Sequence, residues 1–184
     1  NKPLLVIVTG RPASGKTTLA HILSKEIRCP LLSRDELKEG YINTINLEHD
    51  QLDDSAAWHI YNAFFEAIDL LISKGISVIV EAAFQNKLWK PKLLPLAGKA
   101  EIKIIICETS PDLARSRIAG RLLNDPGRNK YHGDKLLNPA EEPGRSITER
   151  YEPVNIDTPT LEVDTTENYS PDLREIIRFI RQKH

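Results

Sequence analysis

The chain has 184 residues, 40% hydrophobic and 28% charged, with 25 Lys and Arg against 26 Asp and Glu for a formal net charge of −1. That is ample apolar material for one core, and no global basic field exists to hold long nucleic acid non-specifically. The longest apolar runs are a few residues, too short to span a bilayer, and the two cysteines, with no CxxC spacing, build no disulfide framework.

Residues 4–8 (LLVIV) form a continuous apolar run, the pattern of a strand covered on both faces. A Gly-containing turn follows. Leu19, Ile22, Leu23 and Ile27 then recur at helical spacing until Pro30 stops the pattern. Residues 30–33 read as a short strand and 35–42 as a short helix. Ala57, Ile60, Tyr61, Phe64, Ile68 and Leu71 mark one face of a long helix that Gly75 ends. Residues 76–80 and 102–107 are two further strong strands, and the apolar neighbours of Cys107 predict a buried free thiol.

After Ser110-Pro111, an amphipathic helix is marked by Leu113, Ala114, Ile118 and Leu122. From Asn124 to Gly144, Asn, Pro, Gly and charge replace apolar periodicity, the composition of a long functional loop. Residues 124–146 are therefore predicted to be a flexible lid within a single domain of residues 1–184. A short strand at 161–163 and a helix carrying Leu173, Ile176, Ile177 and Ile180 close the chain. Strands alternating with helices predict a three-layer α/β domain on an open parallel sheet. With no signal-like start and no disulfide pattern, the expected location is cytoplasmic, with no membrane partner.

Gly10-Arg11-Pro12-Ala13-Ser14-Gly15-Lys16-Thr17 matches GxxxxGK[ST] in full, after a strand and at the start of a helix. The glycines let backbone N–H groups approach a phosphate chain, and the helix turns its positive end toward it. Lys16 would reach the β- and γ-phosphates of ATP, Thr17 would ligate Mg²⁺, and Thr18 continues the first turn. No NKxD guanine reader occurs, and no long hhhhD strand is followed by the extra modules expected of a motor or AAA ATPase. A small phosphotransferase remains.

Asp35 follows the second strand, at the sheet edge where open α/β folds bind ligands. It reads either as the carboxylate that orients an attacking hydroxyl or, with Ser33 as N-cap, as a first-turn acid favouring the helix dipole. Glu81, at the end of the next strand, reads as a holder of metal-bound water or acceptor, or as a solvent-exposed strand end. Arg117 and Arg121, four apart, share a helix face. Between 115 and 135 six basic residues (Arg115, Arg117, Arg121, Arg128, Lys130, Lys135) outnumber Asp125 and Asp134, whereas residues 48–69 hold six acids and no Lys or Arg. A basic lid closing over triphosphate is one reading, a solvated charged loop the other. Thr165 stands after the last strand, where a loop can pass near adenine. His132 falls in the lid as a possible substrate contact; no zinc pattern occurs among the five histidines.

On the phosphate loop, Arg34-Asp35, Glu81 and the lid arginines, the chain resembles the small P-loop kinases, near the polynucleotide 5′-hydroxyl kinase, zeta-toxin and chloramphenicol phosphotransferase types. The resemblance implies a nucleoside monophosphate kinase-like P-loop fold, with a five-stranded parallel sheet of order 2-3-1-4-5 and a lid insertion. It further implies transfer of phosphate from ATP-Mg²⁺ to a hydroxyl, with Asp35 as catalytic base and Arg117 and Arg121 as the lid arginines. Lys38 stands where the polynucleotide kinase type has an arginine for substrate phosphate; Lys keeps the charge and loses the two-pronged hydrogen bonding. The expected acceptor is a small hydroxyl-bearing molecule contacted by Arg34, Asp35, Lys38, Glu81, Arg128 and His132. A nucleic-acid 5′ end and a non-catalytic ATP-binding module are the alternatives; oligomeric state is not legible.

Overall fold

Successive residues of a strand face opposite sides of the sheet, and β1 (Leu4–Gly10) uses both sides. Leu5 and Ile7 enter one apolar cluster, Val6 and Val8 the other, and all four are fully buried. The computed structural model describes residues 2–132 and 151–182. Within them β1, β2 (Leu31–Ser33), β3 (Val78–Glu81), β4 (Glu101–Glu108) and β5 (Thr160–Asp164) form one parallel sheet ordered β2-β3-β1-β4-β5. This is the order implied by the resemblance.

Two layers of helix cover the sheet. Leu19, Ala20 and Leu23 of α1 (Lys16–Ile27) join Ile176 and Ile180 of α6 (Leu173–Arg181) on one face. On the other, α3 (Asp54–Ser73) and α4 (Asn86–Leu93) bring Phe64, Phe65, Ile68, Trp89 and Leu93 against Ile102, Ile104 and Ile106 of β4. The remaining helices, α2 (Arg34–Ile45) and α5 (Pro111–Asn124), each begin where a strand ends at the carboxyl edge.

Several boundaries depart from the sequence pattern. The third strand begins at Val78 rather than residue 76, because residues 75 and 76 close α3: Gly75 (φ 73°) donates its N–H to Ile72 and Ile76 donates to Leu71, a Schellman ending. Helix α4 went unread because Pro91 lies inside it. The segment 124–146, expected as a lid loop, starts on the last residue of α5 and continues as a 3-10 helix over Pro126–Lys130, and Tyr131 then donates to the Asn43 side chain of α2 at 2.9 Å. Residues 133–146 of that segment lie outside the described residues. No helix among the described residues is long and apolar enough to cross a membrane.

Candidate active site

The turn from β1 into α1 takes backbone conformations that most side chains disfavour. Gly10 has φ +149°, and a Cβ there would sit 2.4 Å from the Cys107 carbonyl oxygen; Gly15, with φ +81°, is the N-cap of α1. Ala13 also has a positive φ of 61°. It is held by packing against Ala114 and Ile118 of α5. Ser14 Oγ is buried with no hydrogen-bond partner. Thr165 braces the loop from behind: its hydroxyl lies 2.6 Å from the Ser14 carbonyl oxygen and 3.0 Å from that of Glu108.

Lys16 emerges from this loop almost fully buried, its Nζ 3.6 Å from Glu81 Oε1. Glu81 is no exposed strand end, for only 1% of it is accessible. Nor does the Ser33 hydroxyl cap α2; it donates to Glu81 Oε2 at 2.8 Å. Burial raises the Glu81 carboxyl above its ordinary value, against Lys16, the Ser33 hydroxyl and a bond with Thr17. Asp35 lies in the first turn of α2 and pairs with Arg34 at 3.1 Å. Burial would raise its carboxyl, but Lys38, Arg34, Lys16 and His132 together outweigh burial and hold it at about 2.

On the opposite side of the loop, Arg117 of α5 donates to the carbonyls of Ala13 (3.3 Å), Thr165 (2.7 Å) and Thr166 (3.4 Å). It ties the phosphate loop to the β5–α6 connection. Arg117, Gly120, Arg121, Asn124, Asp125 and Arg128 line an open cleft of about 470 Å³. Pro12 and Arg11 lie partly accessible along the loop, and Thr18 is exposed on the first turn of α1. His132 is buried on the α2 side, 2.7 Å from Glu39.

Sequence reading missed four contributors, Thr9, Tyr151, Phe84 and His49. Thr9, fully buried, donates to the Ala82 carbonyl and accepts from Trp89 Nε1, so Tyr151, 3.2 Å away, must be the donor in their bond. Tyr151 thereby joins the segment before β5 to the root of the phosphate loop. Phe84 receives the Arg34 guanidinium over its ring at 5.9 Å. His49 lies within electrostatic reach of Lys38, His132 and Arg34. None belongs to a local motif.

A polyphosphate fits the loop, whose Ser14 hydroxyl is an orphan and whose Gly10 leaves no room for a Cβ. The Thr17 hydroxyl and the Glu81 carboxylate are oxygen donors of the kind Mg²⁺ takes. Among the described residues, no three of His, Cys, Asp or Glu gather as a self-contained metal site. A Mg²⁺ ion here would draw its other ligands from phosphate and water.

A family profile described as an AAA domain matches residues 5–137. No curated protein sequence matches the chain. Among solved structures, one described as a "putative kinase" from Chloroflexus aurantiacus is 26% identical over 99% of this chain and 98% of its own, with a TM-score of 0.82. The APS kinase CysC of Mycobacterium tuberculosis, in complex with AMPPNP and APS, shares the fold at 15% identity and a TM-score of 0.67, covering 98% of this chain and 99% of its own. A gluconokinase from Sinorhizobium meliloti does so at 15% identity and a TM-score of 0.57, over 97% and 91%.

Proposed function

The chain belongs to this AAA-domain family, and we propose that it is a phosphotransferase moving the γ-phosphate of ATP to a hydroxyl group of a small molecule. One observation carries the reading: Lys16, paired with Glu81 at 3.6 Å, and Asp35, within the field of Lys16, converge at the carboxyl edge of β1, β2 and β3. That edge is where open α/β sheets take their ligands. A phosphate loop alone would serve any nucleotide binder; a carboxylate held ionised beside its lysine supplies what a hydroxyl acceptor needs.

In the proposed step the acceptor oxygen forms a bond to the γ-phosphorus while the bond to the β,γ-bridging oxygen breaks, its electron pair leaving with ADP. The hydroxyl proton passes to Asp35. A carboxylate held at about 2 is a weak base, so Asp35 acts first by orienting the hydroxyl. The proton crosses late, once the attacking oxygen has turned acidic, as a loose transition state allows. Bound Mg²⁺ would neutralise charge on the phosphates, with Thr17 and Glu81 as its protein ligands. Backbone N–H groups of the loop and first turn from Gly10 to Thr18, Pro12 excepted, bind the triphosphate together with Lys16. Arg117 and Thr165 brace that loop, while Arg121 and Arg128 add positive charge from the cleft. Arg34, Lys38 and His132 border the acceptor side.

γ-Labelled ATP offered with a panel of small alcohols and with a 5′-hydroxyl oligonucleotide tests the proposal. Label on a small alcohol, lost in Asp35→Asn while nucleotide binding persists, is the expected result. Label on the oligonucleotide alone would move the acceptor to nucleic acid. Slow hydrolysis without any labelled acceptor, unchanged in the mutant, would leave a nucleotide-binding module.

A further inference from the structure

The two side chains that suit Mg²⁺ stand on separate strand ends: Thr17 follows the phosphate loop that leaves β1, and Glu81 ends β3. Mg²⁺ tolerates little error, since it demands near-octahedral oxygens at about 2.0–2.1 Å. Whatever holds those strand ends in register therefore bears on the metal. The ladder pairs Val8 with Glu81, but the backbone bond beyond that pair, from the Ala82 N–H to the Val8 carbonyl, is long at 3.4 Å. A side chain closes the gap. Thr9, the residue before Gly10, donates from Oγ1 to the carbonyl of Ala82, the residue after Glu81, at 2.8 Å.

A threonine hydroxyl left to itself can turn away from such an acceptor. This one is fixed by two further donors, Trp89 Nε1 and the Tyr151 hydroxyl, each at 3.2 Å. With both lone pairs engaged, the single Thr9 proton goes to Ala82. Both donors belong to one packed unit. Trp89 lies on α4, and Asn86, the first residue of α4, donates its N–H to the Glu152 carbonyl at 3.0 Å. The Asn86 side chain accepts the Asn155 N–H at 2.8 Å, and Val154, between those two in sequence, is buried in the core. Tyr151 is thus presented from a pinned segment. Burial raises its hydroxyl above the ordinary value, so it remains a donor at neutral pH.

We propose that Tyr151 is a positioning residue for magnesium nucleotide: through Thr9 and Ala82 its hydroxyl fixes Glu81 relative to the phosphate loop. The inference rests on the phosphotransferase reading, from which it takes Thr17 and Glu81 as the protein ligands of the metal. It adds a dependence of metal affinity on a phenol that no motif marks. Loss of the Tyr151 proton leaves Thr9 with one donor in place of two and frees its hydroxyl to turn. The Ala82 carbonyl then keeps only its weak ladder neighbour, and Glu81 shifts against Lys16 and Thr17. Nucleotide binding without metal uses the loop alone and is spared.

Calorimetry of AMPPNP binding to the full chain, in Mg²⁺ and in EDTA, tests it. In Tyr151→Phe the Kd in Mg²⁺ should rise roughly tenfold, the low end of what groups that orient metal ligands contribute, while the Kd in EDTA holds. A loss of stability alone produces no such split. Thr9→Val, which keeps the shape and removes the hydroxyl, should lose at least as much, and Thr9→Ser should recover most of it. The chain has two indoles, so NMR supplies a second readout: the Trp89 N–H resonance should shift in Tyr151→Phe and in Thr9→Val, with exposed Trp58 unmoved. If Thr9→Val fails to fold, Tyr151→Phe carries the test, because the Tyr151 ring borders a cavity of about 180 Å³ and losing one hydroxyl empties no core. Equal losses with and without Mg²⁺, or no loss in either, would reduce Tyr151 to a structural brace and overturn the proposal, as would an unmoved Trp89 resonance. A parent chain that binds no AMPPNP would instead sink the phosphotransferase reading, and this inference with it.

Discussion

Asp35 shows how a local field sets chemistry one residue at a time. Its carboxyl, held at about 2 by Lys38, Arg34, Lys16 and His132 against burial, lies below the ordinary carboxylate value of 3.8. A lowered carboxylate contributes stability that is fully present above its unfolded value and is lost as pH falls from near 4 toward 2. It follows that protonation of Asp35 leaves kcat/KM unaffected above about pH 4 in the free enzyme; a pH profile whose acid limb near 6 vanished in Asp35→Asn would contradict this. Asp35→Asn itself should lower kcat by roughly 10²–10⁴-fold, the usual range for a proton-handling group, with AMPPNP affinity within a few-fold of the parent. Gly10→Ala is expected to abolish nucleotide binding, since its Cβ would lie 2.4 Å from a backbone oxygen that cannot retreat without moving β4. Calorimetry on the variant checks it. The motif made Gly10, Lys16 and Thr17 legible from spacing alone, and position after a strand made Asp35 legible. Nothing local marked His49, Phe84 or Tyr151, whose roles exist only through residues 11 to 142 positions away.

At the level of elements, helix ends and strand ends do the positioning. Helix α5 packs Ala114 and Ile118 on Ala13 and so aims Arg117 at three carbonyls, two of them beyond β5. Arg117→Lys keeps the charge but cannot reach three acceptors with one ammonium; an increase of about tenfold in KM for ATP, with a smaller change in kcat, is expected in steady-state assays. Helix α6 is anchored by an unusual group, Lys103 of β4, which is completely buried. Its ammonium donates to the carbonyls of Phe179 (2.9 Å) and Gln182, lies 3.5 Å from Glu101 and sits over the Phe179 ring. These carbonyls end the helix, where a cation is favoured. Lys103→Met would strand them and should cost about 2 kcal/mol in urea unfolding while nucleotide affinity survives. Periodicity revealed α1, α3, α5 and α6 because each buries one apolar stripe. It failed at α4, where proline interrupts the pattern and Trp89 is buried by aromatic neighbours from α3 and the β3–α4 loop.

Across the whole molecule, net charge is close to zero while the functional edge is strongly patterned. The basic residues of α5 and the 3-10 helix after it stand on one side of the phosphate loop, and the cluster of Arg34, Lys38, His49 and His132 on the other. A ligand that binds the folded state alone stabilises it by about 2.7 kcal/mol at 100 times its Kd. For a chain of this size that predicts a Tm rise of roughly 5–10 °C with AMPPNP and Mg²⁺, absent in Lys16→Met. Scanning calorimetry with and without nucleotide measures it directly. The sequence by itself determined the parallel α/β class, the phosphate loop and the place of Asp35, because strand and helix periods and a contiguous eight-residue motif are properties of neighbours along the chain. Only the tertiary structure decided that Glu81 is buried against Lys16, that Ser33 serves Glu81 rather than a helix end, and that His49 and His132 lie within electrostatic reach of Lys38. Those facts depend on which strand ends and turns lie side by side in space, and burial and electrostatic fields act through space irrespective of sequence distance.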